Sequence, residues 1–241
     1  VKVIYCEGYG STDVLQIKKQ STPKPSINEV LVAVKAASVN PVDWKIRSGQ
    51  LKVKTGLKPP KILGSDFSGV VIAVGAKVNG YAVGDHVWGK FDSFKGGSYA
   101  QEVVAKEQNI SHKPDVLNFI EAAAIPNVAL TAYQALVRKA GLKPHQNVLI
   151  NGASGGVGLM AVQIAQVMNC HVTAVCSAKN ARLVKSLGAD VCLDYNSDDI
   201  LRSTNEYDVF FDCVSNQSFF KVKRTLKRNG VHIKTTPDLM S

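Results

Sequence analysis

The stretch NVLINGASGGVG, residues 147–158, decides the reading of the fold. NVLI (147–150) has the composition of a short buried strand, and Gly152–Gly158 is too rich in glycine to be anything but a tight turn. From Val157 onward the apolar residues Val157, Ala161, Ile164, Ala165 and Met168 share one face at helical spacing. A helix that starts directly after a strand presents unpaired backbone amides and the positive end of its dipole to an anion. Gly152, Ala153, Gly155 and Gly158 are glycine or alanine, so no large side chain obstructs a pyrophosphate approaching the backbone. The turn, comprising Gly152, Ala153, Ser154, Gly155, Gly156, Val157 and Gly158, therefore points to a dinucleotide. Its spacing is GxxGxxG rather than GxGxxG, and the competing reading is a strand-to-helix turn without a ligand.

Working outward, further short apolar runs follow at HVTAVC (171–176), DVCLD (190–194), YDVFFDCV (207–214) and GVHIKT (230–235). Strands that alternate with helical segments predict βαβ units and a doubly wound parallel sheet of the Rossmann type for residues 120–241. Ahead of it, IEAAAIPNVALTAYQALV (120–137) reads as a helical link broken at Pro126, since proline lacks the amide donor and restricts the residue before it. Residues 1–119 follow a different grammar. EVLVAVKAASV (29–39), FSGVVIAVG (67–75) and SYAQEVVA (98–105) are β segments separated by dense glycine turns, which predicts a compact β-barrel domain.

The end of the second strand of the parallel sheet selects the cofactor. An Asp or Glu there would bond the ribose 2′-hydroxyl of NAD. The chain instead reads Cys176-Ser177-Ala178-Lys179-Asn180-Ala181-Arg182, a hydroxyl and two cations suited to the 2′-phosphate of NADPH. The alternative for Lys179 is a solvated turn lysine.

The 241 residues are 45% hydrophobic and 20% charged, with no run long enough to form a membrane helix, and they read as an intracellular, cytoplasmic protein. The five cysteines (Cys6, Cys170, Cys176, Cys192, Cys213) show no CxxC spacing, and the five histidines lack ligand spacing, so no metal site is expected. A net charge of +10 favours acidic partners: a polyphosphate cofactor, a membrane surface or nucleic acid. Lys52, Lys54, Lys58 and Lys61 cluster in one loop without interleaved aromatics, which reads as a solvated or cleft-bordering loop.

With these residues in place, the whole chain resembles the medium-chain dehydrogenase/reductase superfamily, in its zinc-free quinone oxidoreductase branch. The resemblance rests on SVNPVDWKIRSG (38–49), LGSDFSGVVIAVG (63–75), VGDHVWG (83–89), GGSYAQEVVA (96–105), AAIPNVALTAYQAL (123–136), NGASGGVG (151–158) and VKSLGAD (184–190), in family order. It implies a GroES-like barrel before the Rossmann domain. It also implies NADPH-dependent reduction of a quinone or of the activated C=C bond of an enal or enone. The positions that hold catalytic zinc in the alcohol dehydrogenases of the superfamily correspond to Asn40, Ser65 and about Asn127, none of them a soft ligand.

By the same resemblance Asn40 and Thr131 lie beside nicotinamide and substrate, and Lys45 donates to a substrate oxygen. Ser177, Lys179 and Tyr195 hold the 2′-phosphate, and Cys213-Val214 sit near the nicotinamide. The other roles open to these side chains are turn capping for Asp43, a surface ion pair for Lys45 and packing for Tyr195. Family members continue into a sixth strand, so the nucleotide domain reads as incomplete at its C-terminal end, and the homodimer that commonly uses that edge is a weaker expectation. A non-catalytic NADPH- or RNA-binding protein that retains the reductase fold is the competing hypothesis.

Overall fold

A computed structural model describes residues 1–202, 204 and 206–236. The chain begins with an antiparallel pair, β1 (Lys2–Cys6) and β2 (Leu15–Lys19). Then come β3 (Glu29–Ala37), the short helices α1 (Pro41–Arg47) and α2 (Lys52–Thr55), β4 (Asp66–Val74), β5 (His86–Lys90), β6 (Glu102–Lys106) and β7 (Ile110–His112). Helix α3 (Phe119–Ala123) follows, its first turn capped by a reciprocal pair of bonds between Asn118 and Glu121, each 2.9 Å. Five of these strands form an antiparallel sheet in the order β6-β3-β4-β5-β7. Val30, Val32, Phe67, Val71, Val87 and Val103 close its core.

Between β3 and β4 the register shifts twice, at Leu31/Val32 and Val34/Ala36, and such bulges bend and twist a sheet. The expected GroES-like barrel is thus a curled sheet whose end strands β6 and β7 do not pair with each other. The third predicted segment is shorter than its sequence suggests. Strand pairing in β6 starts only at Glu102, because Tyr99 and Gln101 bond to β1 instead (Ile4 N–H to Tyr99 O, 2.9 Å; Gln101 N–H to Lys2 O, 3.0 Å).

The second part of the chain contains α4 (Pro126–Tyr133), which runs into a π turn at Gln134–Lys139, then β8 (Asn147–Asn151), α5 (Gly156–Val167), β9 (His171–Cys176) and α6 (Ala178–Ser186). It ends with β10 (Val191–Asp194), β11 (Tyr207–Asp212), α7 (Phe219–Val222) and β12 (Leu226–Lys234). The five strands are parallel in the order β10-β9-β8-β11-β12, so the winding reverses between β8 and β11.

Burial on both faces explains why these strands read as continuous apolar runs. Val148, Ile150, Val172, Ala174 and Phe211 meet Ala161, Val162 and Ala165 of α5, whereas Leu149, Val175, Phe210, Val222 and Leu226 form a separate core cluster. On α5 the expected face packs as read, with Val162 added to it.

The compact units are Val1–Asn127 and Val128–Ser241. This division lies eight residues after the 119/120 boundary expected from the sequence. Helix α3 packs against β3, β4 and β5, and the Ser68 hydroxyl donates to the Phe119 carbonyl at 2.6 Å, which ties this segment to the first unit.

Candidate functional site

In the second unit the glycine turn is built as a backbone cradle. Gly152 has φ +78°, and a Cβ there would stand 2.6 Å from Val214 Cγ2, so the turn accepts only glycine without strain. At Gly158 an added Cβ would lie 2.2 Å from the Gly152 carbonyl oxygen, so helix and turn pack with no room for a side chain. Gly155, by contrast, is exposed, and the nearest atom to an added Cβ is the Gly152 oxygen at 3.4 Å. Gly155 is also the N-cap of α5, with no side-chain hydrogen bond capping the helix. The first-turn amides are therefore directed to whatever anion approaches the turn. Val157 is half-buried, and Ala153 is fully buried beneath the turn.

The turn connects to the end of β9 through a residue the sequence reading left without a role. Asn180 Nδ2 donates to Ser154 Oγ at 3.1 Å and to Ser177 Oγ at 3.3 Å. Ser177 is the N-cap of α6, and Lys179 is exposed in its first turn. Asp194 pairs with Cys176 in the parallel register, which brings Tyr195, 60% exposed, to the same edge of the sheet as Ser177. The Asp194 carboxylate is engaged by the backbone and side-chain amides of Asn196 at 3.0 and 2.9 Å.

Cys213 and Val214 do not extend their strand. β11 stops at Asp212, whose fully buried carboxylate accepts from the backbone amides of Val214 (3.2 Å), Ser215 (2.8 Å) and Gln217 (2.8 Å). An acid that gathers successive amides replaces the sheet ladder with a turn. Asn151 Nδ2 ties the same carboxylate to the end of β8, at 2.8 Å. Asp212 therefore holds Val214 over Gly152, at the reversal of the sheet. Burial, with Asp212 adding to it, pushes the Cys213 thiol well above its ordinary value, so it is a neutral wall group.

The first unit holds a second constellation, made of side chains. Asn40 is buried at the N-terminus of α1, and its Nδ2 donates to Asp66 Oδ2 (2.9 Å) and Ser38 Oγ (3.0 Å). The Ser38 hydroxyl donates to the same Asp66 oxygen at 2.8 Å, and Asn127 Nδ2 donates to Asn40 Oδ1 at 3.1 Å. Asp43 Oδ2 accepts from the Asn40 amide at 2.7 Å and from the Tyr99 hydroxyl at 2.9 Å. Asp43 is thus the capping acid of α1, as the sequence allows, but a buried one.

Burial raises both carboxyls above the usual range. For Asp43 the bonds from Asn40, Tyr99 and Gly64 and the charge of Lys90 oppose the rise; for Asp66, Asn40, Ser38 and Lys90 oppose it while Asp43 adds to it. Tyr99 is likewise raised, by burial and by Asp43.

Lys45 stands apart from this network, its ammonium 5.7 Å from the centre of the Trp44 ring. An apolar cavity of about 700 Å³ opens on this unit, with Val34, Val39, Trp44, Leu63 and Tyr99 in its walls. Asp43 belongs to both the cavity and the network; Asn40 and Asp66 do not line it. Thr131 sits half-buried on α4, in the second unit.

The three positions that would carry zinc are an amide, a hydroxyl and an amide, and two of them, Asn40 and Asn127, are hydrogen-bonded to each other. Neutral donors of this kind do not fit zinc, which is held by thiolate, imidazole and carboxylate. Among the described residues no group of three or more His, Cys, Asp or Glu is arranged to hold a metal.

Two family models match: an alcohol dehydrogenase GroES-like domain over residues 26–115, and a zinc-binding dehydrogenase domain over residues 156–233. A chloroplastic quinone-oxidoreductase homolog of Spinacia oleracea is 42% identical over 200 residues, covering 80% of this chain and 61% of its own length. The quinone oxidoreductase of Coxiella burnetii superposes with a TM-score of 0.86 at 34% identity, over 99% of this chain and 76% of that one. The Escherichia coli quinone oxidoreductase complexed with NADPH superposes with a TM-score of 0.82 at 27% identity, over 97% of this chain and 72% of that one. The chain thus spans less than two thirds of the length of the spinach relative.

Proposed function

Because the chain belongs to the zinc-independent quinone oxidoreductase branch of the medium-chain dehydrogenase/reductase superfamily, we propose that it is an NADPH-dependent reductase of quinones or of the activated C=C bond of α,β-unsaturated carbonyls. The observation that carries the reading is the pairing of an open helix N-terminus at Gly155 with a second-strand end that carries the Ser177 hydroxyl and the Lys179 cation, joined by the Ser154-Asn180-Ser177 bonds.

When bound, NADPH supplies the hydride, and the protein's share of the chemistry is orientation and charge stabilisation. The amides of the turn at Gly155–Gly158 bind pyrophosphate, while Ser177, Lys179 and Tyr195 bind the 2′-phosphate. Thr131 and the Cys213-Val214 segment, fixed by Asp212, form the nicotinamide side of the second unit. In the first unit Asn40 orients substrate, and Lys45 stabilises the oxyanion that develops on it. The buried Asp66 keeps the Asn40 amide in one orientation, so it acts as a positioning residue. The neutral donor set at Asn40, Ser65 and Asn127 supports hydride delivery without a metal.

No helix among the described residues is long and apolar enough to cross a membrane. The spinach relative is named as chloroplastic, so the proposed compartment widens from the cytoplasm to an organelle interior.

The test is NADPH and NADH consumption with a panel of quinones and enals, alongside binding measured by quenching of nucleotide fluorescence. Turnover with at least one acceptor and a preference for NADPH are expected. Tight NADPH binding with no turnover on any acceptor would leave a nucleotide-binding protein and sink the reductase reading.

A further inference from the structure

The loop around α2 has a surface that the proposed reduction does not use. Val53 is 101% exposed and Leu57 is 98% exposed, so two aliphatic side chains project wholly into solvent within five residues of sequence. Between Trp44 and Ser65 the chain carries Lys45, Arg47, Lys52, Lys54, Lys58 and Lys61 and not one acidic residue.

The loop is also braced. The Tyr9 hydroxyl donates to the Gly56 carbonyl at 2.7 Å and lies 2.6 Å from Thr55 Oγ1, while the Lys52 and Lys54 ammoniums sit 4.8 and 5.1 Å from the ring centres of Tyr9 and Phe94. These contacts pin the backbone between Val53 and Leu57 to the unit and leave the two aliphatic side chains facing solvent on its outer side.

We propose that this outer side is a docking surface for an anionic lipid bilayer, with Val53 and Leu57 entering the headgroup boundary and Lys52, Lys54, Lys58 and Lys61 pairing with acidic headgroups. The chemistry follows from the two residue classes together. Aliphatic groups gain free energy by leaving water for the acyl boundary, and surrounding lysines gain from the negative surface potential, so each class strengthens the other. Single-stranded nucleic acid is disfavoured as the occupant, because it needs aromatic platforms on which bases stack, and residues 45–65 contain no Phe, Tyr or Trp.

The experiment is co-sedimentation of the full chain with phosphatidylcholine vesicles, with and without phosphatidylglycerol, over a salt series. Binding only to the phosphatidylglycerol vesicles, weakening as salt rises, is expected. Neutralising Lys58 and Lys61 together (K58Q with K61Q), which leaves the bracing Lys52 and Lys54 in place, should lower partitioning about 25-fold, on the basis of roughly fivefold per lysine. A Val53→Asp, Leu57→Asp double variant should lower it by about tenfold or more. Both substituted positions are solvent-exposed, so the variants should keep the thermal midpoint of the parent chain. Vesicle binding that survives the aspartate double variant unchanged overturns the proposal. So does absence of binding to phosphatidylglycerol vesicles at low salt, including the case in which the chain is captured by single-stranded RNA instead.

Discussion

The two units build their chemistry from different materials. In the second unit the site is main chain: a glycine turn, a helix N-terminus and a loop bent by amides converging on Asp212. In the first unit it is side chain: the buried Asn40, Asp43 and Asp66, hydrogen-bonded to one another and to the half-buried Tyr99 and Asn127. The first kind is local, so its parts are consecutive in sequence. The second gathers partners 26, 56 and 87 positions apart, which no local pattern announces. A main-chain site fails when the backbone is displaced, and a side-chain site fails when a partner is lost.

The largest effect is expected from Gly158→Ala. The new methyl would meet the Gly152 carbonyl oxygen at 2.2 Å and the Ala153 Cα at 2.7 Å, so the turn itself has to move. A destabilisation of about 3 kcal/mol is expected in denaturant unfolding, together with a loss of NADPH binding of tenfold or more. Unchanged nucleotide binding in this variant would show that the cradle is not the binding element.

Removing Asp66 tests the other unit. Asp66→Ala strands the Asn40 and Ser38 donors in the interior, at a cost of about 2 kcal/mol. Its pH dependence is more informative. Asp66 and Asp43 have folded-state values above their ordinary 3.8, so across that window these two groups hold more protons in the folded chain than in the unfolded one. Their contribution to stability therefore falls as pH rises from about 3.8 through the raised values, and returns on acidification. Measured as a difference from Asp66→Asn, the parent chain should gain relative stability as pH is lowered through this window. The opposite slope would mean that partners, not burial, dominate the Asp66 carboxyl.

Smaller effects belong to the edge of the nucleotide cradle. Lys179→Ala combined with Ser177→Ala should weaken NADPH binding about tenfold and leave NADH binding nearly unchanged, as a titration of both cofactors would reveal. Equal losses for the two cofactors would remove these residues from the 2′-phosphate. Asn180→Ala should cost about 1 kcal/mol of stability and a few-fold in NADPH affinity, since it only aligns Ser154 with Ser177.

The order of strands and helices after residue 118, the interruption at Pro126 and the glycine turn were legible because each rests on local spacing or on a residue with a fixed backbone preference. Boundaries were less so. β11 ends at Asp212 because that acid satisfies three backbone amides by itself, and β12 starts at Leu226, ahead of the expected GVHIKT, because parallel pairing with Tyr207 already begins there. The capping role of Asp43 was visible three residues into α1, but not that it would be buried with Tyr99 upon it. Asn180 lay inside the quoted segment after the second strand; its spacing from the Ser177 N-cap was the available signal, while its bond to Ser154 was not.

The sequence by itself determined the glycine turn between strand and helix, the two grammars of the chain and the absence of soft ligands at Asn40, Ser65 and Asn127, since each is a property of residue type at a fixed local spacing. Only the tertiary structure decided that Asp66 locks Asn40, that Asp212 seats Val214 on Gly152, and that Val53 and Leu57 remain in water. Burial and hydrogen bonding depend on which distant residues the sheets bring together, and that is a property of the packed chain rather than of any segment within it.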